Sequence, residues 1–307
     1  MTVRPYALAD AAGVAALNAA GPLDRGLDFE PRTAPDLVAF DATFARLGLE
    51  IVRFVAEGPL TGSIVGYAHA FPVTWQPKAD RSWVNVRVTP NARGTGLGRR
   101  LFAALGPRGE VWAELREPLA ALPPGARELF RSWEFERDLG SWSAPPPAVP
   151  AGITLASLAD ELRLRGPAAL PALRDLYVAV NRDVPLPSSP DPELPLDAFV
   201  DYLTGWPTSL PEATLVARDG EQLVGTCILH RRSDDPACVD HHFTGIDPAA
   251  RGRGLAKTLK HWTLATAQAL GFERIRTSVE SNNGPMLAVN EKLGFRHRGG
   301  VVVLAWG

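Results

Sequence analysis

Thr244-Gly-Ile-Asp-Pro-Ala-Ala-Arg-Gly-Arg-Gly-Leu-Ala256 restates an earlier stretch, Val86-Arg-Val-Thr-Pro-Asn-Ala-Arg-Gly-Thr-Gly-Leu-Gly98. Pro90, Ala92, Arg93, Gly94, Gly96 and Leu97 recur as Pro248, Ala250, Arg251, Gly252, Gly254 and Leu255, each 158 positions later. Each copy reads as a strand, a glycine-rich turn and a helix. Glycine has no Cβ, so it takes positive φ and lets a ligand approach the backbone. The amides that open a helix lack intrahelical acceptors, and the helix dipole draws negative charge to them. Arg93-Gly94-Thr95-Gly96-Leu97-Gly98 and Arg251-Gly252-Arg253-Gly254-Leu255-Ala256 therefore read as phosphate cradles. Two copies half a chain apart indicate an internal duplication with two related ligand-binding domains.

Working outward, Val65-Gly66 and Val224-Gly225 match at nearly the same offset, so the duplication reaches beyond the turns. Ser143-Ala-Pro-Pro-Pro-Ala-Val-Pro150 stiffens the chain and excludes regular structure. It predicts domains over 1–143 and 151–307 with a proline-rich linker over 144–150. Strands are expected at 2–8, 51–57, 63–72, 83–88 and 110–115, with helices at 11–20, 97–105 and 126–133. After the linker, strands are expected at 153–157, 214–217, 222–230, 239–246, 274–279 and 295–306, with helices at 167–181, 196–204, 254–270 and 285–293. This order makes a mixed α/β (α+β) sheet in each half. The cluster Pro185, Pro187, Pro190, Pro192 and Pro195 reads first as an irregular surface loop and second as an ordered lid.

The chain has 307 residues, 46% of them hydrophobic, enough for two domains with cores of their own. A net charge of −2 gives no general reason to expect nucleic acid or an anionic membrane as partner. No apolar run is long enough to cross a bilayer, and the first residues lack a signal-peptide pattern, so cytoplasm is the expected location. Lys78, Lys257, Lys260 and Lys292 are the only lysines, a bias toward Arg that suggests a GC-rich bacterial genome. Cys227 and Cys238 flank an expected hairpin turn at 231–236 and could face each other across it; two buried free thiols are the expectation. No Cys/His spacing suggests a metal.

Two familiar nucleotide loops fail on spacing. A Walker A loop ending at Lys257-Thr258 needs glycine where Arg251 and Ala256 stand. A dinucleotide fingerprint needs Gly-x-Gly-x-x-Gly, which neither turn supplies. Arg93-x-x-Gly96-x-Gly98 and Arg251-x-x-Gly254-x-Ala256 instead resemble the signature of the GCN5-related N-acetyltransferase (GNAT) superfamily. Asn283-x-x-Met286-x-x-x-Asn290-Glu-Lys-Leu-Gly-Phe295 is similar to that family's next motif, a short helix ending in Leu-Gly-Phe. The two-domain arrangement resembles the mycothiol synthase type.

The resemblance implies two tandem domains, each with a mostly antiparallel sheet splayed at the acyl-coenzyme A site and flanked by helices. It implies that the loop amides hold the pyrophosphate of acetyl-coenzyme A, with no metal. Backbone around Gly245 and Ile246, and around Val86 and Val88, would meet the thioester, with Asn283 and Asn290 beside the coenzyme. The family's usual acid is a tyrosine, and Asn290 stands there; aligning Leu129–Phe135 with Val289–Phe295 puts Phe130 at that place in the first half, so the second half is the expected active domain.

A base must take the proton of the attacking amine. Glu280, at a strand end, is the first candidate. His242 is the second, on one face with Asp240 and opposite His241 by strand alternation. The expected reaction is direct acetyl transfer to an amine, of a small molecule or a peptide, in a ternary complex. The alternative is a non-catalytic coenzyme A-binding regulatory or scaffolding protein. Neither nucleic acid nor membrane is an expected partner, and monomer and homodimer both stay open.

Overall fold

The structure is a computed structural model that describes residues 1–20, 33–59, 62–72, 81–107, 109–118, 121–184 and 194–307. Most of the proline cluster after residue 184 lies outside them. The chain divides into two compact units, Met1–Arg131 with Gly300–Gly307, and Ser132–Gly299.

In the first unit the elements are β1 (Thr2–Pro5), α1 (Ala11–Ala19), α2 (Ala34–Arg46), β2 (Val52–Glu57), β3 (Ile64–Pro72), β4 (Arg81–Val88), α3 (Leu97–Leu105), β5 (Glu110–Arg116) and the start of β6 (Arg127–Asp138). β1 to β4 form an antiparallel meander. β5 runs parallel to β4 over a short stretch and antiparallel to Val301–Trp306 at the end of the chain.

In the second unit, Ser132–Asp138 of β6 pairs antiparallel with Arg274–Glu280. The elements that follow are β7 (Ile153–Ser157), α4 (Leu158–Arg165), α5 (Ala169–Asn181), α6 (Leu196–Val200), β8 (Leu215–Asp219), β9 (Gln222–Arg231), β10 (Cys238–Ile246), α7 (Leu255–Ala269), β11 (Arg274–Glu280), α8 (Gly284–Lys292) and β12 (Arg296–Trp306). α6 continues into one π turn, Asp201–Gly205. β7, β8, β9 and β10 are antiparallel neighbours, and β10 and β11 are parallel. Each unit is thus a mixed, mostly antiparallel sheet with flanking helices, and each takes one strand from beyond the proline-rich segment.

Local chemistry explains two helices that the apolar pattern alone does not announce. α2 starts on a reciprocal cap between Thr33 and Asp36. α4 starts where the Ser157 hydroxyl accepts from the Asp160 amide at 3.0 Å, with Asp160 and Glu161 in its first turn and Arg163 and Arg165 in its last. One expected helix, over 126–133, is instead a strand: all of it but Ala126 belongs to β6. Pro123-Pro124-Gly125 forms a turn, in which the Ala126 amide donates to the Pro123 carbonyl at 3.0 Å and Gly125 has φ of 74°, and the side chains from Ser132 to Glu134 alternate between buried and exposed.

The packing repeats with the sequence. A Cβ on Gly66 would lie 2.8 Å from Leu101 Cδ1, and one on Gly225 would lie 3.0 Å from Leu259 Cδ1. Leu101 and Leu259 are the same position of α3 and α7, so both glycines leave room for the same leucine. α3 covers Ala56, Ala68, Ala70 and Val84, and α7 covers Val224, Cys227 and Ile246. The opposite face of the second sheet carries α5 and α6 through Leu173, Val180, Phe199, Val216 and Ile228. Cys227 and Cys238 are buried and free, but they do not face each other: Cys227 stands opposite Thr244, and Cys238 pairs with Arg274.

Candidate active site

β10 pairs with β9 as far as Ile246 opposite Gly225, yet its ladder with β11 covers only Cys238–His241 against Arg274–Thr277. Beyond that rung the two strands part, and among the described residues no strand pairs with the far edge of β10. The first unit repeats this. β4 and β5 pair over Arg81–Trp83 and Glu110–Trp112, while β4 continues against β3 to Val88. Gly245 and Ile246, like Val86 and Val88, therefore lie past the last rung of a splayed strand pair.

Gly245 is held by its surroundings. A Cβ there would sit 2.6 Å from the Phe243 ring and 2.8 Å from Val180 of α5. Val180 is buried and β-branched and has little freedom to move. Gly245→Ala is expected to cost about 1–3 kcal/mol of stability, read as a lower denaturant midpoint with an unchanged slope.

Each strand ends in a turn of the same construction. The Arg251 Nε donates to the Ile246 carbonyl at 3.1 Å, and the Arg93 Nε to the Val88 carbonyl at 3.3 Å. A single 3₁₀ turn follows each strand, Pro248–Ala250 and Pro90–Ala92. Gly252 and Gly254 have φ of 79° and 76°; Gly94 and Gly96 have 75° and 79°. A Cβ on any of the four would meet nothing within 4 Å. Glycine is required there by backbone conformation, and the space above it is open. At the sixth position the first copy has Gly98 and the second Ala256; a Cβ on Gly98 would make ordinary contact with Val88 at 3.9 Å, which fits alanine in the other copy.

The first turns of α7 and α3 point unpaired amides, from Leu255 and Ala256 and from Leu97 and Gly98, into these turns. A cavity of about 430 Å³ opens on the first turn, lined by Val88, Arg93, Gly94, Gly96, Gly98 and Arg99 among others. Thr95 turns its hydroxyl to the Ala92 carbonyl at 2.8 Å. In the second turn Arg251 meets Asp183 at 2.6 Å, and Arg253 meets Asp219 at 2.7 Å. These pairs are exposed and weak, so a bound phosphate can compete for both guanidinium groups.

Glu280 is the last residue of β11, three positions past the last rung with β10. Burial raises its carboxyl pKa above the ordinary range, against the opposing effect of a hydrogen bond from Asn283. Asn283 also caps α8, accepting from the Met286 amide at 3.3 Å. Its structural contacts are thus to Glu280 and α8. Asn290 is fully buried in α8, and its carboxamide oxygen accepts from the Lys260 ammonium.

The histidines separate by face, but not by simple alternation. His242 is the extra residue of a β-bulge: His241 pairs with Leu229 and Phe243 with Ile228. The bulge brings His241 and Thr244 to one face, with Nε2 2.9 Å from Oγ1. Burial holds the His241 pKa well below its ordinary value. Asp240 is bound through both carboxylate oxygens by Arg232, at 3.0 and 2.9 Å. His242 stacks on His230 at 4.2 Å and 9°, and its Nδ1 is 3.4 Å from the Tyr202 hydroxyl. Tyr202, Trp206 and His230 make an aromatic group beside it. Nothing in the spacing of these residues along the chain marks them as neighbours.

In the first unit β5 ends at Arg116, and among the described residues no helix stands between it and β6. Phe130 is a strand residue, so the alignment of Leu129–Phe135 with the α8 motif fails: the two segments are different elements. Among the described residues, no group of three or more His, Cys, Asp and Glu could hold a metal ion, and no helix is long and apolar enough to cross a membrane.

The family model for the Acetyltransferase (GNAT) family matches residues 170–295. A mycothiol acetyltransferase of Rhodococcus jostii is 30% identical over 265 residues, covering 81% of each chain. Another, of Rhodococcus erythropolis, is 29% identical over 295 residues, covering 89% of this chain and 90% of the relative. Among solved structures, a tandem GNAT protein from the clavulanic acid biosynthesis pathway superposes with a TM-score of 0.70 at 20% identity, covering 99% of this chain and 97% of that one. A GCN5-related N-acetyltransferase from Sphaerobacter thermophilus gives 0.64 at 22%, covering 99% and 94%. With the same splayed strands and glycine turns formed twice, the chain belongs to the GNAT family and is a tandem-domain acetyltransferase.

Proposed function

We propose that the second half, over 151–307, binds acetyl-coenzyme A and transfers its acetyl group to the amine of a small molecule by direct attack in a ternary complex. The observation that carries this reading is the parting of β10 and β11 after His241 and Thr277, with the glycine turn after one strand and Glu280 at the end of the other. The free edge of β10 gives an extended acyl-pantetheine arm a place to lie, and the open space over Gly252 and Gly254 admits its pyrophosphate.

Within this frame Glu280 takes the proton of the attacking ammonium, and Asn283 fixes the position of its carboxylate. Backbone amides near Gly245 and Ile246 stabilise the developing oxyanion. His242, beside Tyr202 and Trp206 on the face opposite α7, borders the acceptor. The first half keeps the cradle of Arg93–Gly98, with Val88 beside it, but β5 ends on Arg116, and among the described residues no helix stands between it and β6. It holds coenzyme without carrying out the chemistry.

The relatives named mycothiol acetyltransferases make a mycothiol-type amine the first acceptor to test. The experiment offers the protein acetyl-coenzyme A with a panel of amines, this type among them, and measures free thiol. Amine-dependent thiol release is the expected result; no release together with no coenzyme binding would refute the proposal.

A further inference from the structure

β10 leaves β11 after Thr277, but β6 stays paired with β11 for three residues more: Ser278 opposite Glu134, Val279 opposite Trp133 and Glu280 opposite Ser132. The side of the splay that carries Glu280 is therefore a two-stranded ribbon, and half of it comes from sequence before the proline-rich segment. Alternation sets which face each pair serves. Ile275 packs with Leu264 of α7, and Phe135, opposite Thr277, packs against the same cluster beside Val289 of α8. Ser278, Glu280, Ser132 and Glu134 lie on the other face, which His242 also borders. Deeper on that face Arg276 and Glu136 close on each other in an ion pair at 2.7 Å.

Ser132 forms the outermost rung with Glu280. It is 8% exposed, and among the described residues its hydroxyl has no hydrogen-bond partner. A buried hydroxyl with no partner costs free energy that an apolar side chain avoids. The first unit shows the apolar solution. There Arg116 ends β5 as Glu280 ends β11, and the residue opposite it is Val301, 1% exposed. In the second unit the matching pair is a carboxylate and a hydroxyl. Side chains directly opposite on one face of an antiparallel pair have Cβ atoms about 4.5–5.5 Å apart. A cation at the Glu280 carboxylate is thus within reach of the Ser132 hydroxyl.

We infer that Ser132 binds the acceptor: its hydroxyl oxygen accepts one N–H of a primary ammonium while the Glu280 carboxylate accepts another. This rests on Glu280 being the base, as proposed above. Two acceptors on adjacent strands fix the rotation of the ammonium and keep one N–H aimed at Glu280. The hydrogen bond to Ser132 is made to a charged donor and so belongs to the stronger class. Ser132 precedes the proline-rich segment, so the first half of the sequence supplies part of the acceptor site of the second unit.

The test is steady-state kinetics of the full chain with acetyl-coenzyme A and the primary amine of the panel that is turned over best. Ser132→Ala should raise KM for the amine at least about tenfold. The kcat should stay within about twofold, because binding is lost and chemistry is not. Ser132→Cys keeps the shape of the side chain but is a weak acceptor, and it should behave as Ser132→Ala does. Ser132→Thr keeps the hydroxyl and should hold KM for the amine within about threefold of the unaltered protein. KM for acetyl-coenzyme A should not move in any of the three. An amine KM unchanged in either Ser132→Ala or Ser132→Cys overturns the inference and leaves Glu280 its role. A rise in KM for both substrates together, with a lower thermal midpoint, marks a structural serine and overturns it too. No turnover of any amine by the unaltered protein overturns the reading of Glu280 along with it.

Discussion

Replacing Glu280 by glutamine is expected to lower kcat/KM for the amine by about 10²- to 10⁴-fold, with the affinity for acetyl-coenzyme A unchanged. Glutamine keeps the shape of the side chain and its contact with Asn283 but cannot take a proton. The pH profile gives a second, independent reading. Burial raises the Glu280 pKa, and as the proposed base Glu280 acts in its carboxylate form. Activity is therefore lost as pH falls through that raised value, and the acid limb should lie above the ordinary carboxyl value of about 4.3. In Glu280→Gln this limb should vanish from what activity remains. If His242 were the base, His242→Gln would remove the limb and Glu280→Gln would leave it in place.

Placing a valine at Gly254 is expected to have an effect of similar size by another route. The position has φ of 76° in open space. A β-branched residue resists that conformation at a cost of about 1–3 kcal/mol, and its side chain would stand over the first amides of α7, where an anion must approach. Losing even one charge-assisted hydrogen bond adds about 1.5–3 kcal/mol. Together these predict at least about a hundredfold weaker acetyl-coenzyme A binding, measured by calorimetry. The thermal midpoint should fall by about 2–4 °C for each kcal/mol of that strain and no further, because no packed neighbour is displaced.

The glycine turns were legible because their requirement is local. Positive φ at Gly252 and Gly254, and the helix that follows, depend on a few adjacent residues, and the match with Gly94 and Gly96 repeats the signal. The strands beside them were legible from alternation. Residues 126–133 misled because Arg127-Glu-Leu-Phe-Arg is a good helix sequence by propensity, while β6 runs as one strand from Arg127 and pairs with β11 from Ser132 on. The bulge at His242 could not be read, since alternation presumes an unbroken ladder, and it is the bulge that sets His241 and Thr244 on one face. The position of Glu280 at the end of a strand was reachable from alternation. Lys260 was not: on a helix of mixed character it looks like any surface lysine, and only the packing of α7 against β9, β10 and α8 buries it. The stack of His230 on His242 likewise joins residues whose proximity is created by pairing.

The central claim is that acetyl transfer takes place in the second half. It is tested most directly by amine-dependent thiol release from Gly254→Val, with circular dichroism and thermal midpoint showing that the protein is folded. The account predicts that turnover falls to background even though the Arg93–Gly98 cradle is untouched. A folded Gly254→Val protein that turns over at the unaltered rate would contradict it and place the chemistry in the first half.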